Sequence, residues 1–194
     1  MPLVPAPSRR NRNFAETHGM LIEKAVEIIA ESGVEALSVA ALARATAMNR
    51  STVYYHFESR EALVAEVKGW AAERLAQGFA GRPLRECALG EVVGFVLAHP
   101  AVMALWLSDY LAPGRITSHF PPWEDLVASA ARDLAVRFPG QPCDAEAFCA
   151  ILLTACCVGP RVFQLSIRPD EAPGRIAERF VVELQRLLGV APPA

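Results

Sequence analysis

Residues Leu37 to Leu63, LSVAALARATAMNRSTVYYHFESREAL, restrict the fold more than any other part of the chain. They read as two short helices joined by a tight turn, with a longer helix starting at once. Ser38 is placed to cap the first helix, and Leu37 and Leu42 flank that cap as a hydrophobic staple. Asn49 is placed to cap the second, with Met48 and Val53 as the matching pair. Helices this short are marginal in isolation, so each must pack on something larger. Leu42, Val53 and Phe57 supply the inward contacts. Arg50, Ser51, Thr52, Tyr54, Tyr55 and His56 remain as a dense set of donors, acceptors and rings, several of them free to face outward. A short helix with a polar, partly aromatic face, behind a supporting helix and a turn, is how a helix-turn-helix enters the major groove.

The run AMNRSTVYYHFESREAL resembles the DNA-binding signature of the tetracycline-repressor (TetR) family of bacterial regulators. The resemblance extends upstream to LIEKAVEIIAESGVEALSVAALA, so it covers roughly the first third of the chain. One position departs from it. Ala47 stands in the turn where the family often has Gly, and a left-handed backbone there would be strained. Within the signature, Arg50 and Thr52 are expected at base edges, and Ser51 is small enough for close backbone approach. Tyr54, His56 and Arg60 are expected to hold phosphates. Tyr55 either joins them or packs on the first helix, and Ser38 combines capping with a phosphate contact.

The whole chain has 194 residues, 53% hydrophobic and 21% charged, enough for a full core and too apolar for disorder. Its net charge of -2 excludes a general polyanion binder. Residues 1–60 carry 7 Lys and Arg against 6 acidic groups, and the remainder 12 against 15, so the weak basic bias lies at the N-terminal end. Five Cys without CxxC spacing fit a reducing cytoplasm better than a disulfide framework or zinc site. The N-terminus lacks the apolar core of a secretory signal, and the most apolar stretch, Ala147 to Val158, is too short to cross a bilayer. A cytoplasmic protein without a membrane partner is expected.

Three regions are expected: a mobile basic arm over 1–15, a helix-turn-helix domain over 16–62 and a helical domain over 63–194. The arm carries Arg9, Arg10 and Arg12 among prolines, which reads equally as a disordered start or as a DNA-contacting arm. A first helix spans 17–32, with Leu21, Ile22, Ala25, Ile28 and Ile29 at helical spacing and Gly33 ending it. Ser59 caps a long helix reaching Gly78 or Gly81, with Arg60 in its first turn. A cation there opposes the helix dipole, and a phosphate contact would account for it. Further helices are expected over 84–97, from Pro100 to Tyr110, from Pro122 to Phe138, after Asp144 with a bend at Gly159-Pro160, and after Pro173. No strand-like alternation is present, so the fold class is all-α: an N-terminal three-helix DNA-binding domain and a C-terminal helical ligand-binding and dimerisation domain.

The run Ala147 to Val158 has almost no polar face, and a helix apolar all round needs cover on all sides. The last helix offers the stripe Ile176, Phe180, Val181, Leu184, Leu187 and Leu188. Together they make a four-helix interface in a homodimer, which the resemblance also implies, and a twofold dimer predicts a near-palindromic double-stranded DNA operator. The resemblance further implies a small apolar or amphipathic effector that releases a repressor from that operator. Its candidate lining is Trp106, Tyr110, Phe120, Trp123, Cys156 and Phe163. No cofactor, metal site or catalytic residue is expected. His18, His56, His99 and His119 are scattered outside metal-ligand spacing, and GxSxG and GxGxxG are missing. The alternatives are a hydrophobic-ligand carrier and a thiol redox protein using Cys156 and Cys157.

Overall fold

The computed structural model describes residues 9–79 and 87–189. Among the described residues the chain is helical and without strands. It divides into two compact units, the first ending at Trp70 and the second beginning at Ala71. The division falls inside a helix, eight residues beyond the expected end of the DNA-binding domain at 62.

The first unit opens with α1, Arg9–Ser32. It starts well before the expected 17, so residues 9–15 are helical rather than part of an arm; residues 1–8 of the expected arm lie outside the described residues. Gly33 follows with φ +78, and its N–H bonds to the Ile29 carbonyl at 2.9 Å. That backbone is open to glycine at little cost, which is why the helix stops there. After a short 3₁₀ turn, Val34–Ala36, come α2, Val39–Ala45, and α3, Arg50–His56. The core beneath them is Leu21, Ile22, Ala25, Ile29, Leu37, Leu42, Val53, Phe57, Leu63 and Val67, all buried. The inward residues expected of two helices too short to stand alone are thus all in place.

Helix α4, Arg60–Phe79, begins in the first unit and ends in the second. Ser59 caps it, accepting from the Ala62 N–H at 3.1 Å. The second unit continues with α5, Leu89–Ala98, α6, Pro100–Tyr110, α7, Trp123–Arg137, and α8, Ala145–Cys157. The expected start of the α5 segment at 84 lies outside the described residues. Asp144 caps α8 through the Ala147 N–H at 2.9 Å, and Pro100 sits in the first turn of α6, both as their chemistry predicts.

The helix is not broken at Gly159-Pro160. A further helical turn, α9 (Gly159–Val162), and a π-helical turn, Phe163–Ile167, carry α8 onward. Pro160 occupies the first turn of α9, where its missing N–H costs little. The joined run Ala145–Ile167 is long and apolar enough to cross a membrane by length and composition, unlike the shorter stretch read from sequence. Here it gives Cys149, Leu152, Leu153, Cys156 and Cys157 to the core of the second unit, beside Val92, Val93, Met103, Trp106 and Phe120. The final helix, α10 (Pro173–Leu187), packs mainly on α5.

Candidate nucleic-acid interface

The turn between α2 and α3 is built from its caps. Ser38 Oγ accepts from the Ala41 N–H at 3.1 Å, and Asn49 Oδ1 accepts from the Ser51 N–H at 3.1 Å. Thr46 turns its hydroxyl back onto the Leu42 carbonyl at 2.8 Å, closing α2. Ala47 then takes φ +53, alone among the described non-glycine residues. The strained left-handed position expected at that residue is present. With α3 so held, Val53 is fully buried beneath it, while Arg50, Ser51, Thr52, Tyr54 and Tyr55 are exposed. Tyr54 and Tyr55 present 54% and 65% of their surface to solvent, too much for core aromatics and suited to contact with a partner.

His56, Ser38 and Arg60 sit lower and are half-buried. The His56 ring stacks on Phe14 at 4.4 Å and lies 5.6 Å from the His18 ring. Phe14 also meets Tyr55 edge-on at 5.6 Å, and His18 lies 4.9 Å from Phe57. Burial holds the His56 imidazole below its ordinary pKa, with nearby His18 adding to the effect. The extension of α1 therefore clasps the end of α3 from one side. Sequence reading missed this clasp; Phe14 and His18, four residues apart, carried the signal.

Arg60 receives an intramolecular explanation in place of the expected one. Its Nε donates to the Leu37 carbonyl at 2.9 Å, and its Nη2 to the Val34 carbonyl at 2.9 Å and to Glu35 Oε2 at 3.0 Å. The guanidinium thus closes the 3₁₀ turn before α2, and no phosphate is needed to account for a cation in the first turn of α4.

The sequence of this unit settles its kinship. Residues 21–67, from within α1 to within α4, match the family model of bacterial regulatory proteins of the tetR family. This segment belongs to the tetR family. No curated protein matches it by sequence. Solved structures share its fold at low identity. A transcriptional regulator from Aquifex aeolicus VF5 has a TM-score of 0.59 at 19% identity, over 88% of this chain and 99% of that one. The TetR family transcriptional regulator PfmR from Thermus thermophilus has 0.57 at 21%, over 89% and 99%. A candidate regulator from Saccharomonospora viridis, solved in complex with choline, has 0.57 at 16%, over 87% and 96%.

In the second unit the six residues expected to line an effector pocket belong to one hydrophobic core or pack against it, and the Trp106 ring lies 6.3 Å from that of Phe120. Trp106 is buried, stacks on Tyr110 at 5.0 Å and donates its indole N–H to the His119 carbonyl at 3.2 Å. Phe163 meets Phe180 edge-on at 5.5 Å, with the Arg179 guanidinium 4.7 Å from its centre. Cys156 is buried in the core. Phe120 and Trp123 each border a groove, but different ones. Of the six, Phe120 and Trp123 border these grooves, while Trp106, Tyr110, Cys156 and Phe163 border neither.

The expected dimer stripe also needs correction. Ile176, Leu184 and Leu188 are buried in their own protomer, and Phe180 and Val181 are half-buried. Leu187 alone of the six is widely exposed, at 81%. It borders a small apolar groove of about 190 Å³ with Phe148, Ile151, Leu152, Ala155, Leu184 and Leu188, where Ile151 is 70% exposed. The buried thiols are poor candidates for redox work. Burial, then the neighbouring Cys87 thiol, pushes Cys149 up to about 11 and Cys156 up to about 12; Cys157 is raised by burial and by Cys156. Among the described residues no group of three His, Cys, Asp or Glu side chains converges as a metal site.

Proposed function

We propose that this chain is a dimeric, sequence-specific transcriptional repressor of the cytoplasm, without enzymatic activity, released from a near-palindromic operator by a small effector. The observation that carries this is the exposed polar and aromatic face of α3, capped by Asn49 and anchored by Val53. Arg50 and Thr52 read base edges in the major groove, while Ser51 permits close approach. Tyr54 and Tyr55 hold phosphates and fix register, and the half-buried His56 and Ser38 support them at the rim. Arg60 acts by shaping the α2 entrance.

The exposed Ile151 and Leu187, beside an apolar groove on α8 and α10, favour a second copy of this chain as cover. Two copies related by a twofold axis present two α3 faces, hence an inverted repeat in the DNA. The choline bound by the Saccharomonospora relative supports room for a small effector in this fold. Coupling between effector and operator is reciprocal: an effector that loosens DNA must itself bind less tightly when operator is present.

Selection from a random double-stranded DNA pool at near-physiological salt tests the reading, with a Thr52→Ala, Tyr54→Ala variant in parallel. An inverted repeat enriched by the natural protein and lost in the variant is expected. Equal recovery of all sequences by both proteins would refute sequence-specific recognition by α3.

A further inference from the structure

A groove of about 440 Å³ runs within the second unit between the end of α4 and the start of α7. That size lies in the range of small-molecule sites, roughly 300–1,000 Å³. Its floor is apolar: Ala76, Phe79, Phe120 and Leu126, all buried residues showing an edge. Among the described residues its polar groups are Glu73 and Gln77 from α4, and Asp125 and Arg132 from α7. We propose that this groove is the effector site of the repressor proposed above, and that the effector is an amphipathic amine: an apolar body carrying a cationic nitrogen. The inference rests on that functional reading for the word effector, and on the groove's own chemistry for the ligand class.

The charge balance of the described lining decides the class. Among the described residues two carboxylates face one guanidinium, so that part of the lining is net negative. Among the described residues neither Glu73 nor Asp125 has an ion-pair or hydrogen-bond partner for its side chain, and both are exposed. Asp125 and Arg132 are seven residues apart on α7, about 10 Å along the axis, so Arg132 does not neutralise Asp125 by direct pairing. An anionic head would meet one cation and two like charges. A cationic head finds two unengaged partners, while its apolar body covers the floor.

A second groove of about 540 Å³ beside it also carries acidic groups, Glu124 and Glu146, with Arg115. It draws its lining from α7, α8 and the segment before α7. The first groove differs in including α4, whose first residue, Arg60, is tied into the DNA-binding unit. A ligand held by Glu73 and Gln77 therefore acts on the helix that continues into that unit.

Calorimetric titration of the full chain with octyltrimethylammonium and with octyl sulfate, each below its micelle concentration, tests the proposal. The ammonium is expected to bind at least about tenfold more tightly, a difference of about 1.4 kcal/mol. Glu73→Gln with Asp125→Asn should abolish that preference, and Glu124→Gln with Glu146→Gln should leave it intact. Equal binding of the two probes, a preference for sulfate, or loss of the preference in the Glu124 and Glu146 variant would each overturn it. The preference measured in the natural chain decides the ligand class even if a variant fails to fold. Ammonium preference in a protein that selects no DNA would end the repressor reading but keep the groove's ligand class. DNA selection without ammonium preference would do the reverse.

Discussion

Arg60 Nη2 donates to the Val34 carbonyl oxygen at 2.9 Å across 26 residues of sequence. With the Nε bond to Leu37 and the ion pair to Glu35, it joins the first turn of α4 to the entrance of α2. Hydrogen bonds to a charged donor contribute roughly 1.5–3 kcal/mol; removing the donor takes that partner from the Leu37 carbonyl and leaves Val34 only the Leu37 N–H at 3.1 Å. Arg60→Ala should therefore lower stability by about 1–3 kcal/mol, read by urea unfolding. If the variant lost DNA binding at unchanged stability, the phosphate role first expected of Arg60 would be the right one.

The turn holds a second testable strain. A left-handed backbone costs an L-residue about 1–2 kcal/mol, and Ala47 adopts φ +53. Glycine removes that cost but gains freedom in the unfolded chain worth about 0.4–1 kcal/mol. Ala47→Gly should stabilise the protein by several tenths to about 1 kcal/mol. A lower melting temperature would contradict the strain argument.

At Gly78 the effect should be opposite. A Cβ built there lies 2.1 Å from Val92 Cγ2, a contact that neither α4 nor α5 relieves without moving. Gly78→Ala should cost about 1–3 kcal/mol by overpacking, and a second substitution, Val92→Ala, should recover part of it. Independent, additive losses in the double variant would rule out the contact as the cause.

Stability should also fall in mild acid. The folded state holds His56 and His99 below the ordinary value of 6.5, chiefly through burial; His18 adds to this at His56, and Arg74 at His99. The unfolded chain then takes up protons first as pH drops, so unfolding is favoured. The contribution is complete above the ordinary value and is lost as pH falls through the depressed folded values. Urea midpoints should decline from about pH 7.5 to about 5.5, less steeply in His56→Gln. A midpoint that rose over this window would reverse the sign of the argument.

Much of this architecture is legible in local chemistry. Ser38, Asn49, Ser59 and Asp144 each cap a helix, and Pro100 and Pro173 each open one. Such signals act within four residues, where sequence order equals spatial order. The remaining features depend on distant partners. Arg60 finds its acceptors more than twenty residues away, and Trp106 finds the His119 carbonyl thirteen residues on. An apolar stripe on α10 does not announce whether α5 or a second protomer will cover it, and Ile176 and Leu184 went to the protomer's own core.

The surface left over gives the association test. Ile151 and Leu187 border one apolar groove, and a charge at each should exclude a second copy. Ile151→Glu with Leu187→Glu should halve the mass seen by sedimentation while leaving helix content unchanged. A two-chain mass in the variant, or a one-chain mass in the natural protein, would place the interface elsewhere or remove it.

The most direct test of the central claim is the affinity of the natural protein and of Arg50→Ala for a selected inverted-repeat duplex and a scrambled one. A base-reading arginine contributes about 1–3 kcal/mol of discrimination. The ratio of the two affinities should therefore fall about tenfold to a hundredfold, with the melting temperature unchanged. If Arg50→Ala weakened both duplexes equally and left the ratio intact, α3 would not be reading sequence through Arg50, and the account given for this face would be wrong.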